Sequence, residues 1–166
     1  MDHFELLGVE RKFGIDEVAL ERNYVELQQK FHPDRFNNRP ANERAAVLQK
    51  ATDINLAYEI LSSPLFRAEY ILELNGRGEE KKNINQEILM ENMEMREALS
   101  DAVTKSEVEN LIRDARKNRE EIIKNLEKSF SQKDFPEAEE DVIRLKYIEK
   151  FLEEARIKKL QLENAA

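Results

Sequence analysis

The sequence predicts an all-α protein in two helical modules, and three observations carry that prediction. Of its 166 residues 37% are charged, while only four are Gly and four Pro, so the residues that interrupt helices are scarce. Apolar residues recur at three- and four-residue spacing along most of the chain, the period of helices with one buried face. Two of the four glycines fall together in Asn75-Gly76-Arg77-Gly78 and interrupt a pattern that is helical on both sides, which places a boundary there. The expected organisation is a first module over 1–76, a linker over 77–83 and a second module over 84–166.

In the first module Asp16 is placed to cap a helix whose apolar positions are Val18, Tyr24, Leu27 and Phe31. That helix must stop at His32, because Pro33 disfavours helical geometry in the residue before it. A polar stretch, Asp34 to Asn42, leads to a second amphipathic face traced by Val47, Leu48, Ala51, Ile54, Ala57, Tyr58 and Leu61 and ended by Ser62-Ser63-Pro64. The prediction is an antiparallel helical hairpin that presents its loop to solvent, followed by a shorter helix from Leu65 to Leu74.

The second module reads as three helices, about Ile84 to Ser100, Lys105 to Phe130 and Ala138 to Leu162, forming a bundle. The middle one has an apolar stripe of Val108, Leu111, Ile112, Ala115, Ile122, Leu126 and Phe130. In the last, Val142, Leu145, Ile148, Leu152 and Ala155 supply the core stripe, leaving Ile143 and Tyr147 off it. In the first, Ile84, Ile88, Met95 and Leu99 share one side at roughly 100° per residue. Leu89 and Met93 lie a quarter turn away, and Met90, Glu94, Glu97 and Asp101 further round. Such a face is either a solvated acidic side or an adaptable binding surface, since flexible Met side chains suit apolar contact and carboxylates steer a basic partner.

Composition narrows the function classes. With no Cys and two His, thiolate nucleophiles and cysteine metal sites are absent and little is left for an imidazole cluster; no cofactor and no metal are expected. A net charge of −8 argues against a broad nucleic-acid surface, which needs clustered Lys and Arg. Residues 1–75 hold nine basic and 13 acidic side chains and the remainder 18 and 22, so each part carries −4. No apolar run approaches the roughly 20 residues of a membrane span, and the N-terminus lacks the pattern of a signal peptide. No membrane partner is expected, and the chain reads as intracellular.

His32-Pro33-Asp34 opens the hairpin loop. Alone it is a Pro stop with an Asp beginning a turn, or His32 is an acid or base, although no nucleophile, metal set or phosphate loop accompanies it. Its context is larger. Asp2-His3-Phe4-Glu5-Leu6-Leu7-Gly8-Val9 leads in, and Ile54-Asn55-Leu56-Ala57-Tyr58-Glu59-Ile60-Leu61 follows. Together these segments resemble a J-domain. Pro64-Leu65-Phe66-Arg67-Ala68-Glu69-Tyr70-Ile71-Leu72-Glu73-Leu74-Asn75-Gly76 is similar to the segment that follows the J-domain in the HscB family, co-chaperones of iron-sulfur cluster assembly, and the similarity continues to about residue 160. Arg35 stands where a Lys commonly follows HPD, and the first long helix carries few cations, chiefly Arg22 and Lys30.

The resemblance implies a co-chaperone and not an enzyme. His32, Pro33, Asp34, Arg22, Lys30 and Arg35 would dock on a DnaK-type chaperone, HscA, and stimulate its ATPase. Leu89, Met90, Met93, Glu94, Glu97, Asp101 and Tyr147 match the family's contacts to the scaffold IscU. The absence of cysteines resembles the bacterial form, which implies a bacterial cytoplasm. A J-domain protein serving another client is the alternative, and a purely structural helical protein is a third.

Overall fold

A computed structural model describes residues 1–78 and 83–165. Among these residues there are helices and no strands: α1 (His3–Leu6), α2 (Glu17–Lys30), a 3-10 turn (Pro33–Phe36), α3 (Ala41–Ser62), α4 (Pro64–Leu74), α5 (Gln86–Asp101), α6 (Lys105–Ser131) and α7 (Phe135–Ala165). Contacts divide the chain into units Met1–Ile71 and Leu72–Ala166. Most of the expected linker 77–83 lies outside the described residues.

The first unit begins with a capping box. Asp2 Oδ1 accepts from the Glu5 amide at 2.8 Å, and Glu5 Oε2 accepts from the Asp2 amide, so two donors at the start of α1 are met reciprocally. Gly8 then turns the chain at φ +64, a conformation that costs Gly nothing. Asp16 caps α2 as expected, accepting from the Ala19 amide at 3.1 Å. The inward face of α2 keeps Tyr24, Leu27 and Phe31, each half-buried, but takes Leu20 in place of the expected Val18, which is 74% exposed. Leu20, Tyr24, Leu27 and Phe31 follow one another at four- and three-residue spacing on a single face, whereas Val18 lies about 180° from Leu27. On α3, Val47, Ile54, Ala57 and Leu61 are buried but Leu48 is 58% exposed, because it lies a step round the helix from that stripe. Phe4, Leu7, Leu65 and Ala68 complete this core. Arg67 is buried with its guanidinium over the Phe13 ring, 4.8 Å from the centroid, and its Nη1 donates to the Leu61 carbonyl at 2.7 Å.

The second unit is an up-down-up arrangement of α5, α6 and α7. Asn85 caps α5 through the Glu87 amide at 2.8 Å, and Thr104 caps α6 through the Glu107 amide at 3.2 Å. α6 ends in a left-handed Lys133 at φ 57, with the Asp134 amide donating back to the Ser129 carbonyl at 2.8 Å, the usual way to close a helix terminus. α5 begins two residues later than Ile84 and α7 begins at Phe135, ahead of the expected Ala138. Val108, Ala115 and Leu126 of α6 and Val142, Leu145, Ile148 and Ala155 of α7 are buried as expected, with Phe151 added, while Leu111, Ile112, Ile122, Phe130 and Leu152 are half-buried. No helix among the described residues is long and apolar enough to cross a membrane.

Candidate functional site

The first candidate surface is built where α2 runs out. Phe31 closes α2, its amide donating to the Leu27 carbonyl at 3.0 Å. His32 then takes φ −64, ψ 128, the extended geometry a following Pro demands. Pro33 opens the 3-10 turn, and the fixed φ of its ring sets the direction in which Asp34 leaves. His32 Nδ1 accepts from the Asp34 amide at 3.2 Å. It also lies 3.7 Å from Asp34 Oδ2, but one nitrogen cannot accept from the amide and carry a proton toward the carboxylate together. The amide contact has hydrogen-bond geometry, so the ring proton belongs on Nε2. The Asp34 carboxylate is 82% exposed and open to a partner's donor.

The turn stands on a braced hairpin. The Tyr24 and Tyr58 rings stack at 3.9 Å, Tyr24 Oη donates to Asn55 Oδ1 at 2.9 Å, and Gln28 Nε2 donates to Tyr24 Oη at 2.7 Å. Lys30 and Lys50 lie on the Phe31 ring, 5.5 and 5.8 Å from its centroid. The structure therefore brings Lys30, His32, Pro33, Asp34 and Arg35 together at the tip. Arg22 is exposed on α2, eight residues and about 12 Å before Lys30.

The second candidate surface is the outer side of α5. Ile88 and Leu99 bury the opposite side, which leaves Leu89 at 38%, Met90 at 59% and Met93 at 67% exposure and Glu94, Glu97 and Asp101 exposed. α5 is strapped to α7. Arg144 Nε donates to Glu91 Oε2 at 3.3 Å, Arg96 Nη1 donates to Glu154 Oε2 at 3.1 Å, and Lys158 Nζ donates to the Leu99 carbonyl. A groove of about 390 Å³ opens between α5, α6 and α7. Glu94 and half-buried Tyr147 line it, together with Asn118, Glu121 and Asn125 of α6. Leu89, Met90 and Met93 lie outside it. Of the seven candidate residues on this unit, two thus share a groove and five spread along the outer face of α5.

Sequence reasoning missed the α6 wall and a charged chain behind it. Asp141 is 3% exposed in its side chain, with Oδ1 accepting from Arg144 Nη1 at 3.3 Å. Burial pushes the Asp141 carboxyl up, outweighing the opposing hydrogen bond from Arg144. Burial works to lower the Arg144 guanidinium, but Glu91 and Asp141 together raise it. An acidic residue in the first turn of a predicted helix was a visible signal for Asp141, but its burial was not.

Comparison with known proteins matches the two parts of the chain that carry these surfaces. The DnaJ domain model matches residues 2–70 and the model of the HscB C-terminal oligomerisation domain matches 84–156. A co-chaperone protein HscB homolog from Vibrio vulnificus is 36% identical over 164 residues, 95% of this chain and 96% of that protein. The chain belongs to the HscB family. The solved structure of HscB from Vibrio cholerae superposes with a TM-score of 0.88 at 31% identity, covering 98% of this chain and 99% of that one. Human co-chaperone HscB superposes at 0.90 with 30% identity, covering 98% of this chain and 84% of that one. These HscB relatives are co-chaperones, which supports the non-enzymatic reading, and the HPD turn lies inside the span of the DnaJ domain model.

Proposed function

We propose that this protein stimulates the ATPase of a DnaK-type chaperone, HscA, with the tip of its first module and delivers the scaffold IscU to that chaperone with its second, in the cytoplasm of a bacterium. The observation that carries the reading is the HPD turn: Asp34 exposed on a rigid 3-10 turn, oriented by Pro33 and by the His32 ring. A carboxylate so held accepts charge-assisted hydrogen bonds from a partner Arg or Lys with little ordering cost. Arg22, Lys30 and Arg35 add cations beside it, and the chemistry of ATP hydrolysis belongs to the chaperone. On the second module, Leu89, Met90 and Met93 supply an adaptable apolar contact, flanked by Glu94, Glu97, Asp101 and Tyr147. The functional modules proposed are 1–76 and 84–166, joined by 77–83.

Steady-state ATPase of HscA with the full chain tests this, with and without IscU. Stimulation by the chain alone and synergy with IscU are expected; stimulation without synergy would assign the second module another client. His32→Gln or Asp34→Asn should abolish stimulation while changing stability by no more than about 0.5 kcal/mol, as exposed substitutions do. Wild-type stimulation by either variant would refute the role of the turn.

A further inference from the structure

Six polar side chains line the groove between α5, α6 and α7 without a hydrogen-bond or ion partner among the described residues: Asn92, Glu94, Asn118, Glu121, Asn125 and Tyr147. Asn92 Oδ1 is itself buried, an acceptor removed from water with nothing yet donating to it. The remaining charged groups of the groove are committed, Arg144 to Glu91 and Asp141. What stays open is mostly acceptor: the Glu94 carboxylate on the α5 wall, the Glu121 carboxylate on the α6 wall, amide oxygens, and the Tyr147 ring, whose face attracts a cation.

We infer that this groove receives a basic side chain of the scaffold, a lysine or arginine seated between Glu94 and Glu121 beside Tyr147. The inference rests on the reading of the second module as the scaffold-binding one and adds α6 to it. Recognition then has two parts. Leu89, Met90 and Met93 give apolar contact along the outside of α5, and the groove selects a partner that carries a cation at a fixed distance from that contact. Glu121 acts as a specificity determinant, because a partner cation seated there faces a carboxylate from each of two helices, an attraction that a partner with a neutral side chain lacks.

Calorimetric titration of IscU into full-length Glu121→Gln, Glu121→Lys and Glu120→Lys variants tests this, with thermal melts to establish that each is folded. Glu120 lines a separate groove on the other side of α6. Removing one partner of a close charge pair is expected to weaken affinity about fivefold in Glu121→Gln and more than about tenfold in Glu121→Lys, with less loss at high salt, while Glu120→Lys stays within about twofold. Stimulation of HscA without IscU should not change in any of them. Unchanged affinity in Glu121→Lys, alongside a loss in Leu89→Ala, would overturn the groove and leave the scaffold reading standing. Equal losses in Glu120→Lys and Glu121→Lys would also overturn it, as a general charge effect. Unchanged affinity in both Glu121→Lys and Leu89→Ala would remove the scaffold reading with it. Glu121→Gln nearly preserves side-chain shape and keeps the test decisive if the lysine variant does not fold.

Discussion

The two units hold their helices together by different means. In the first, α2 and α3 meet through the Tyr24–Tyr58 stack and the hydrogen-bond chain from Gln28 through Tyr24 to Asn55. No ion pair joins those two helices among the described residues; Arg11 with Asp2 and Arg39 with Glu43 are pairs of another kind, not bridging α2 and α3. In the second, ion pairs cross between helices. Arg144 meets Glu91 and Arg96 meets Glu154 from α7 and α5, while Arg119 with Glu149, Lys105 with Glu163 and Lys159 with Glu109 join α6 to α7. The candidate surfaces differ in parallel. The HPD turn packs its chemistry into three residues, whereas Leu89 to Asp101 spread along about 18 Å of helix. A compact motif needs a stiff, neutral brace to aim it. A distributed face tolerates softer, charged straps, because no single side chain has to be aimed alone.

The largest effects should fall on the two cores and should be similar in both. Ile54 and Leu145 are fully buried, one in each unit, so Ile54→Ala and Leu145→Ala should each cost about 2–5 kcal/mol in urea unfolding. A cost below about 1 kcal/mol in either would show that its core collapses around the cavity and would break the comparison at the level of packing.

An intermediate effect belongs to Asp141 and is specific to the second unit. Its carboxyl is raised above the ordinary carboxylate range chiefly by burial. A raised carboxyl binds its proton more tightly in the folded than in the unfolded chain. The ionised group therefore carries a cost that is fully present above the folded pKa and disappears as pH falls toward the unfolded value. Asp141→Asn cannot titrate, so the melting temperature of the wild type relative to this variant should rise on acidification from neutrality. A constant or falling difference would mean that Arg144, not burial, governs the group.

The smallest effect sharpens the contrast between brace and strap. Arg119→Gln should cost less than about 1 kcal/mol near 0.1 M salt and almost nothing near 1 M, as expected of a partly exposed ion pair under screening. Tyr24→Phe, which removes hydrogen bonds to Asn55 and Gln28, should cost about 1 kcal/mol at either salt concentration. If the two variants showed the same salt dependence, the distinction between the modules would be lost.

Much of this protein was legible because its signals are local. The Asp16 cap, the stop before Pro33, the end of α3 at Ser62 and the HPD turn depend on backbone groups within three or four residues, and a linear sequence holds those neighbours already. The outer face of α5 was legible for the same reason, since Ile88 and Leu99 fall on one side of a single helix and Met90 and Glu94 on another. Tertiary packing decided the rest. Phe151 joined the core and Asp141 was buried beside Arg144 because α5 and α6 pack against α7. The groove that unites Glu94, Glu121 and Tyr147 exists in no single helix: three amphipathic faces, each determined by its own sequence, create it only when the order and crossing of α5, α6 and α7 bring side chains about 25 to 50 residues apart to one opening.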